Sequence, residues 1–127
     1  MLLNILKSKI HRATVTEARV DYVGSITIDS FLMEKTNILP FEKVMVVSID
    51  TGERLETYVI EGERNSGTIC LNGAAARIIK KGEKVIIMAF CMLEPAQASI
   101  FTPKIIHVDE NNRLAEGIFP TGENEEC

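Results

Sequence analysis

Apolar and polar residues alternate with a period of two along most of this chain, the spacing of strands that bury one face. Ile10 to Thr16 and Ala18 to Tyr22 carry the alternation with many β-branched residues, and Ile26 and Ile28 alternate with Thr27 and Asp29. Asp29 or Ser30 is placed to cap a short helix over Phe31 to Thr36, which must stop before Pro40. Val44 to Ile49 is a continuous apolar run, which predicts a strand buried on both faces. Asp50-Thr51-Gly52 is a turn signal, so Arg54 to Glu61 is the returning strand of a hairpin. Glu63 to Gly67 is a polar loop and Thr68 to Leu71 a brief strand. Asn72 is placed to cap a short helix through Ala74-Ala75-Ala76 to Ile79. Lys81-Gly82-Glu83 turns the chain into a strand from Lys84 to Phe90. Glu94 to Ala98 reads as one helical turn, and Ile105 to Val108 as a last strand.

Six to eight short strands with two small helices predict a mainly β fold. One closed barrel is expected, because closure removes exposed sheet edges. The chain's 127 residues fit a single domain spanning 1–127. A polar tail from about residue 110 is expected to be disordered, and it ends in the acidic run Gly122-Glu123-Asn124-Glu125-Glu126-Cys127.

Charge and cysteine content narrow the partners. The formal net charge is -4, and Lys80-Lys81 is the one adjacent basic pair beyond the Lys7/Lys9/Arg12 cluster. That predicts no nucleic-acid partner, which would call for a clustered basic face. No apolar stretch approaches the roughly 20 residues of a membrane helix, so no membrane partner is expected. Cys70, Cys91 and Cys127 are spaced for neither a zinc site nor a disulfide framework. The expectation is a reducing, cytoplasmic setting and no metal.

Chemistry concentrates at four places. Gly24-Ser25 interrupts the strand pattern, with Tyr22 two residues before the glycine. On local evidence it is a turn, but it is also the simplest pair in which a hydroxyl can attack the carbonyl just before it. Lys9 and His11 lie two apart on a predicted strand and so share a face, either a solvated one or an anion-binding and acid/base pair. Arg54 and Tyr58 also share a face: a guanidinium can bind a carboxylate through two hydrogen bonds, and a phenol can donate a proton. The bland alternative is a surface ion pair of Arg54 with Glu53 or Glu56. Thr57 faces away from Tyr58 on a regular strand, so one pocket using both requires a bulge or separate roles on two sides. Asn72-Gly73-Ala74-Ala75 opens a helix with small residues whose N–H groups can meet an anion or carbonyl oxygen.

Together these four segments resemble the pyruvoyl-dependent aspartate decarboxylases. The runs Lys9-Ile10-His11-Arg12-Ala13-Thr14-Val15-Thr16, Asp21-Tyr22-Val23-Gly24-Ser25-Ile26-Thr27-Ile28-Asp29, Gly52-Glu53-Arg54-Leu55-Glu56-Thr57-Tyr58 and Leu71-Asn72-Gly73-Ala74-Ala75-Ala76 occur in that family's order and spacing. The resemblance runs from the N-terminus to about residue 110. It implies a double-psi β-barrel, assembled as a homotetramer. It also implies decarboxylation of L-aspartate to β-alanine for pantothenate and coenzyme A synthesis, after self-cleavage between Gly24 and Ser25. Ser25 then becomes a covalent pyruvoyl group that forms a Schiff base with the substrate, so pyridoxal phosphate is not needed. By the same resemblance Thr57 supports processing and Tyr58 is the proton donor. Arg54 and Lys9 hold the substrate, and Asn72, Gly73, Ala74 and Ala75 line its pocket. His11 and Tyr22 lie nearby in roles left open, Tyr22 in processing or turnover. Whether a maturation factor assists cleavage is left open too.

Two other readings remain at this point. One is a pyruvoyl decarboxylase of another acidic amino acid such as glutamate, since the motifs fix the chemistry better than the pocket length. The other is a non-catalytic barrel that binds a partner, which predicts an uncleaved chain with no need for Ser25.

Overall fold

A computed structural model describes residues 1–115. Eight strands and three short helices follow one another: β1 (Leu3–Thr14), β2 (Glu17–Arg19), β3 (Ser25–Asp29), α1 (Ser30–Thr36), β4 (Lys43–Ser48), β5 (Arg54–Gly62), β6 (Ile69–Asn72), α2 (Ala75–Ile78), β7 (Lys84–Leu93), α3 (Pro95–Ala98) and β8 (Lys104–His107). The strands form one sheet in the order β2-β6-β3-β5-β4-β7-β1-β8. Its ladder does not close, and β2 and β8 are the edges.

Covalent continuity curls the sheet nonetheless. β1 lies beside one edge and β2 is the opposite edge, yet only Val15 and Thr16 separate them. That short span reaches about 10 Å at most. The Val15 N–H donates to Glu83 O at 2.9 Å and the Thr16 N–H to Ile69 O at 2.8 Å, so the chain changes partners here. The small mainly β barrel expected from the sequence is met in this form: the chain's own passage from β1 to β2 draws the edges together.

The inner face follows from the alternation. Ile10, Ile26, Ile28, Val44, Val46, Val59, Leu71 and Ile87 are buried in one cluster, with Leu32 of α1 packed into it. Each such side chain contributes about 1.5–3 kcal/mol on burial. Asp29 caps α1 by accepting from the Phe31 N–H at 2.9 Å, and Asn37 ends the helix in the left-handed region at φ 56°. The same carboxylate accepts from the N–H groups of Asn65 and Gly67, each at 2.8 Å. It thereby ties the Glu63–Gly67 loop to the end of β3.

Some expectations need correction. β1 starts at Leu3, because the apolar N-terminal residues pair with the far end of β7, Leu3 opposite Leu93. β4 is not buried on both faces: Val44, Val46 and Ser48 are buried, but Met45 and Val47 are half-buried on the outer face. Asn72 does not cap α2. It is the last residue of β6, the cap position is Ala74, and the Asn72 side chain is turned to β3. The tail expected from about residue 110 is packed through Ala115. Asn112 is buried, accepts from the Thr14 N–H at 2.8 Å, and donates to Thr14 O and Gly67 O at 2.9 and 2.7 Å. The remainder of that expectation, and Cys127, lie outside the described residues.

Candidate active site

Three strands place the serine. Ser25 opens β3, where it is the ladder partner of Asn72 on antiparallel β6. On the other side, parallel β5 pairs Val59 with Ile26. Counting back one position sets Tyr58 level with Ser25, with Thr57 the residue before it on β5. Ile26, Leu71 and Val59 point into the core, so period two turns Ser25, Asn72 and Tyr58 to the outside of the barrel.

Ser25 is wholly buried even so. The Asn72 Nδ2 donates to Ser25 Oγ and to Thr27 Oγ1, each at 2.9 Å, and Ser25 Oγ donates to Val23 O at 3.3 Å. A cleft of about 380 Å³ opens over these groups, lined by Asp21, Tyr22, Val23, Ser25, Thr27, Ile60 and Asn72. A second cleft of about 430 Å³ adjoins it across Tyr22, Thr27 and Asn72, and Arg19, Glu17 and Cys70 line its far side.

Gly73 lies close against Gly24. It sits at φ +71°, and a Cβ there would lie 2.6 Å from Gly24 Cα, 2.7 Å from Gly24 N and 2.9 Å from Tyr22 O. The Gly73 N–H donates to Arg19 O at 2.8 Å, which holds the pair of backbones together. Tyr22 stands half-exposed at the rim, its phenol accepting from Arg19 at 2.8 Å with the guanidinium stacked 4.9 Å from the ring centre. Arg19 also hydrogen-bonds Glu17 at 2.8 Å, which lowers the Glu17 carboxyl and raises the guanidinium. Burial is the main cause that raises the Cys70 thiol.

The remaining sequence candidates are only partly gathered here. β5 is regular against both neighbours, so Thr57 faces inward and Tyr58 outward, and no bulge unites them. Arg54 shares the outer face with Tyr58 but lies four residues, about 13 Å, further from the serine. The surface pair of Arg54 with Glu56 does not form, because Glu56 meets Lys43 at 3.3 Å. Lys9 and His11 share the outer face of β1, as their spacing requires, but both are buried, so that face is not solvated. The His11 and His107 rings meet at a tilt of 56° with centres 4.8 Å apart. Three strands, β7, β4 and β5, separate β1 from β3 in the sheet. Lys9, His11 and Arg54 thus rim one outer patch floored by Val47, Met45, Ile86 and Met88, while Ser25, Asn72 and Tyr22 sit on another.

Sequence reasoning missed Thr27, Ile60 and Cys70. Each stands two residues from a named candidate on the same strand, and that spacing was the available signal. Among the described residues, no cluster of three or more His, Cys, Asp or Glu is arranged to hold a metal ion. None of their helices is long and apolar enough to cross a membrane.

The family model for aspartate decarboxylase matches residues 1–115. The chain belongs to the aspartate decarboxylase family. It is 60% identical over 127 residues to the aspartate 1-decarboxylase of Caldicellulosiruptor saccharolyticus, covering 100% of this chain and 98% of that one. Over 114 residues it is 60% identical to the aspartate 1-decarboxylases of Clostridium botulinum and Clostridium kluyveri, with 90% of each chain covered. The matched residues span Gly24, the buried Ser25 and the Asn72-Gly73 segment.

Proposed function

We propose that this member of the family cuts itself between Gly24 and Ser25 and then converts L-aspartate to β-alanine and CO₂, supplying pantothenate and coenzyme A synthesis. The observation that carries the reading is the buried Ser25 hydroxyl, held by the Asn72 amide beside a cleft, with Gly73 wedged on Gly24.

Cleavage needs only the chain and water. Ser25 Oγ–H adds to the Gly24 carbonyl carbon, and the C–N bond to Ser25 breaks as its nitrogen takes up the proton. Thr57 stabilises the oxyanion in this reading. The product is an ester, whose carboxylate leaves more readily than an amide anion. Loss of the Ser25 α-proton then breaks Cβ–Oγ and releases the Gly24 carboxylate. Hydrolysis of the resulting dehydroalanine gives ammonia and a pyruvoyl cap on the chain that starts at residue 25.

The residues present fit such a group: an N–H donor of Asn72 already meets an oxygen on residue 25, and the cleft leaves room beyond it. A pyruvoyl carbonyl supplies the electron sink that decarboxylation requires and that no ordinary side chain offers. Tyr58, level with residue 25, delivers the proton to the carbon that loses CO₂. Arg54 and Lys9 bind substrate carboxylates, and Asn72 with the backbone of Gly73, Ala74 and Ala75 lines the pocket. His11 and Tyr22 complete its surroundings.

Lys9 and Arg54 reach Ser25 of another copy in a homotetramer. The separation of the two outer patches supports this, as does the exposed apolar surface at Val23, Phe90 and Met92. Intact-mass analysis of purified protein tests the central step: two fragments are expected, split after Gly24. A single full-length species that still decarboxylates aspartate overturns it, as does an active Ser25→Ala variant. Product analysis with aspartate and glutamate separates the substrates, since one methylene discriminates by about 1–3 kcal/mol. Co-expression of Ser25→Ala and Lys9→Ala chains tests sharing. Activity restored above that of either variant alone is expected, and no recovery refutes it.

A further inference from the structure

We propose that Cys70 is a positioning residue: its thiol reinforces the orientation of the Asn72 carboxamide that presents an N–H to Ser25. The inference rests on the self-cleavage reading above and deepens it.

Asn72 can occupy its place in two orientations of nearly the same shape. In the structure its Nδ2 spends both hydrogens, one on Ser25 Oγ and one on Thr27 Oγ1, each at 2.9 Å. Its Oδ1 faces Cys70, whose Sγ donates to it at 3.3 Å. With the amide turned over, Oδ1 would sit between the two hydroxyls and the amino group would face sulfur. Ser25 favours the first state, because its own hydrogen goes to Val23 O at 3.3 Å and its oxygen is left to accept, while Thr27 suits either. The thiol adds to that preference. Cys70 is buried on the same face of β6 as Asn72, and burial keeps it protonated, so it brings a hydrogen to the contact. The S–H bond to Oδ1 exists only in the first state; in the second, sulfur is left as a weak acceptor for the amino group.

The orientation matters when the ester breaks. Ser25 Oγ is then the atom that takes the electron pair of the Cβ–Oγ bond and leaves with Gly24 as a carboxylate. An N–H of Asn72 already aimed at that oxygen stabilises the charge as it forms. A carbonyl oxygen in its place would repel it.

Donor and shape are separable at this position. Cys70→Ser keeps a hydrogen-bond donor, Cys70→Val keeps the volume and apolarity, and Cys70→Ala removes the donor without adding bulk. Cleavage of full-length precursor is followed by intact mass, with thermal unfolding of each chain as a check on folding. The expected order is Cys and Ser within about twofold of each other, and Val and Ala slower by about tenfold, as for loss of one hydrogen bond. A packing role predicts the reverse, with Val close to the parent and Ser the slowest. Val and Ala cleaving at the parent rate overturns the inference while leaving self-cleavage intact. A parent chain that does not cleave overturns the reading beneath it instead.

Discussion

Replacing Gly73 with alanine is expected to slow self-cleavage far more than it lowers stability. Two costs arise, and they can be told apart. The first is conformational: φ +71° is a left-handed backbone angle that costs a residue with a Cβ about 1–2 kcal/mol. The second is contact. The new Cβ would stand 2.6 Å from Gly24 Cα, where carbon atoms prefer about 3.5–4.0 Å. Relief therefore needs a shift of about 1 Å, and the nearest atoms are backbone, which cannot swing aside as a side chain could. The segment that must move carries the scissile bond. A displacement of about 1 Å at a reacting centre can cost about 10²-fold in rate. Gly52 supplies the control, because its φ is +80° with nothing within 4 Å of a Cβ. Gly52→Ala incurs the first cost alone. Urea unfolding and intact-mass time courses on both variants give the comparison. The expectation is a stability loss of about 1–2 kcal/mol in Gly52→Ala with unchanged cleavage, and cleavage at least about 10²-fold slower in Gly73→Ala. Equal cleavage rates in the two variants would show that the close approach of Gly73 to Gly24 has no part in the reaction.

Other outcomes follow from single groups. Tyr58→Phe should cleave normally, since the phenol serves turnover, but lose about 10²–10⁴-fold in kcat; failure to cleave would move Tyr58 into processing. Asp29→Ala should lower stability by about 3 kcal/mol in urea unfolding, because the carboxylate accepts from Phe31, Asn65 and Gly67 and its removal strands three N–H groups. A loss under about 1 kcal/mol would refute its place at that junction. The Cys70 thiol, raised above its ordinary 9.0 chiefly by burial and then by Glu17, favours its neutral form when folded. Stability is therefore unaffected below that pH and falls as pH rises beyond it, since the unfolded chain releases its proton first. Thermal midpoints from pH 8 to 10.5 should fall more steeply in the parent than in Cys70→Ser, and parallel profiles would contradict the linkage.

What could be read from the sequence was local. Period two located the strands, an Asp before an apolar turn located α1, and Asp50-Thr51-Gly52 located the hairpin, because each signal acts within a few residues. The same alternation correctly put Lys9 with His11 and Arg54 with Tyr58 on shared faces. Misreadings came where a local signal was outbid. Asn72 has the side chain of a helix cap, but its register opposite Ser25 gives the amide two hydroxyls instead. Residues 110–115 look like the start of a polar tail, yet Asn112 is buried where it ties β1 to the Gly67 loop, residues 98 and 45 positions away.

The sequence by itself determined the chemistry available: a serine after a glycine, a phenol, two cations and an amide, in a family's order and spacing. Tertiary structure decided which of them meet. Strand order is a non-local property, set by which faces can be buried together, and it joined β3 to β6 and β5 while leaving three strands between β3 and β1. Backbone proximity is likewise invisible along the chain. Gly73 follows Gly24 by 49 positions, and only the folded sheet brings Gly73 so close that it cannot carry a side chain without moving Gly24.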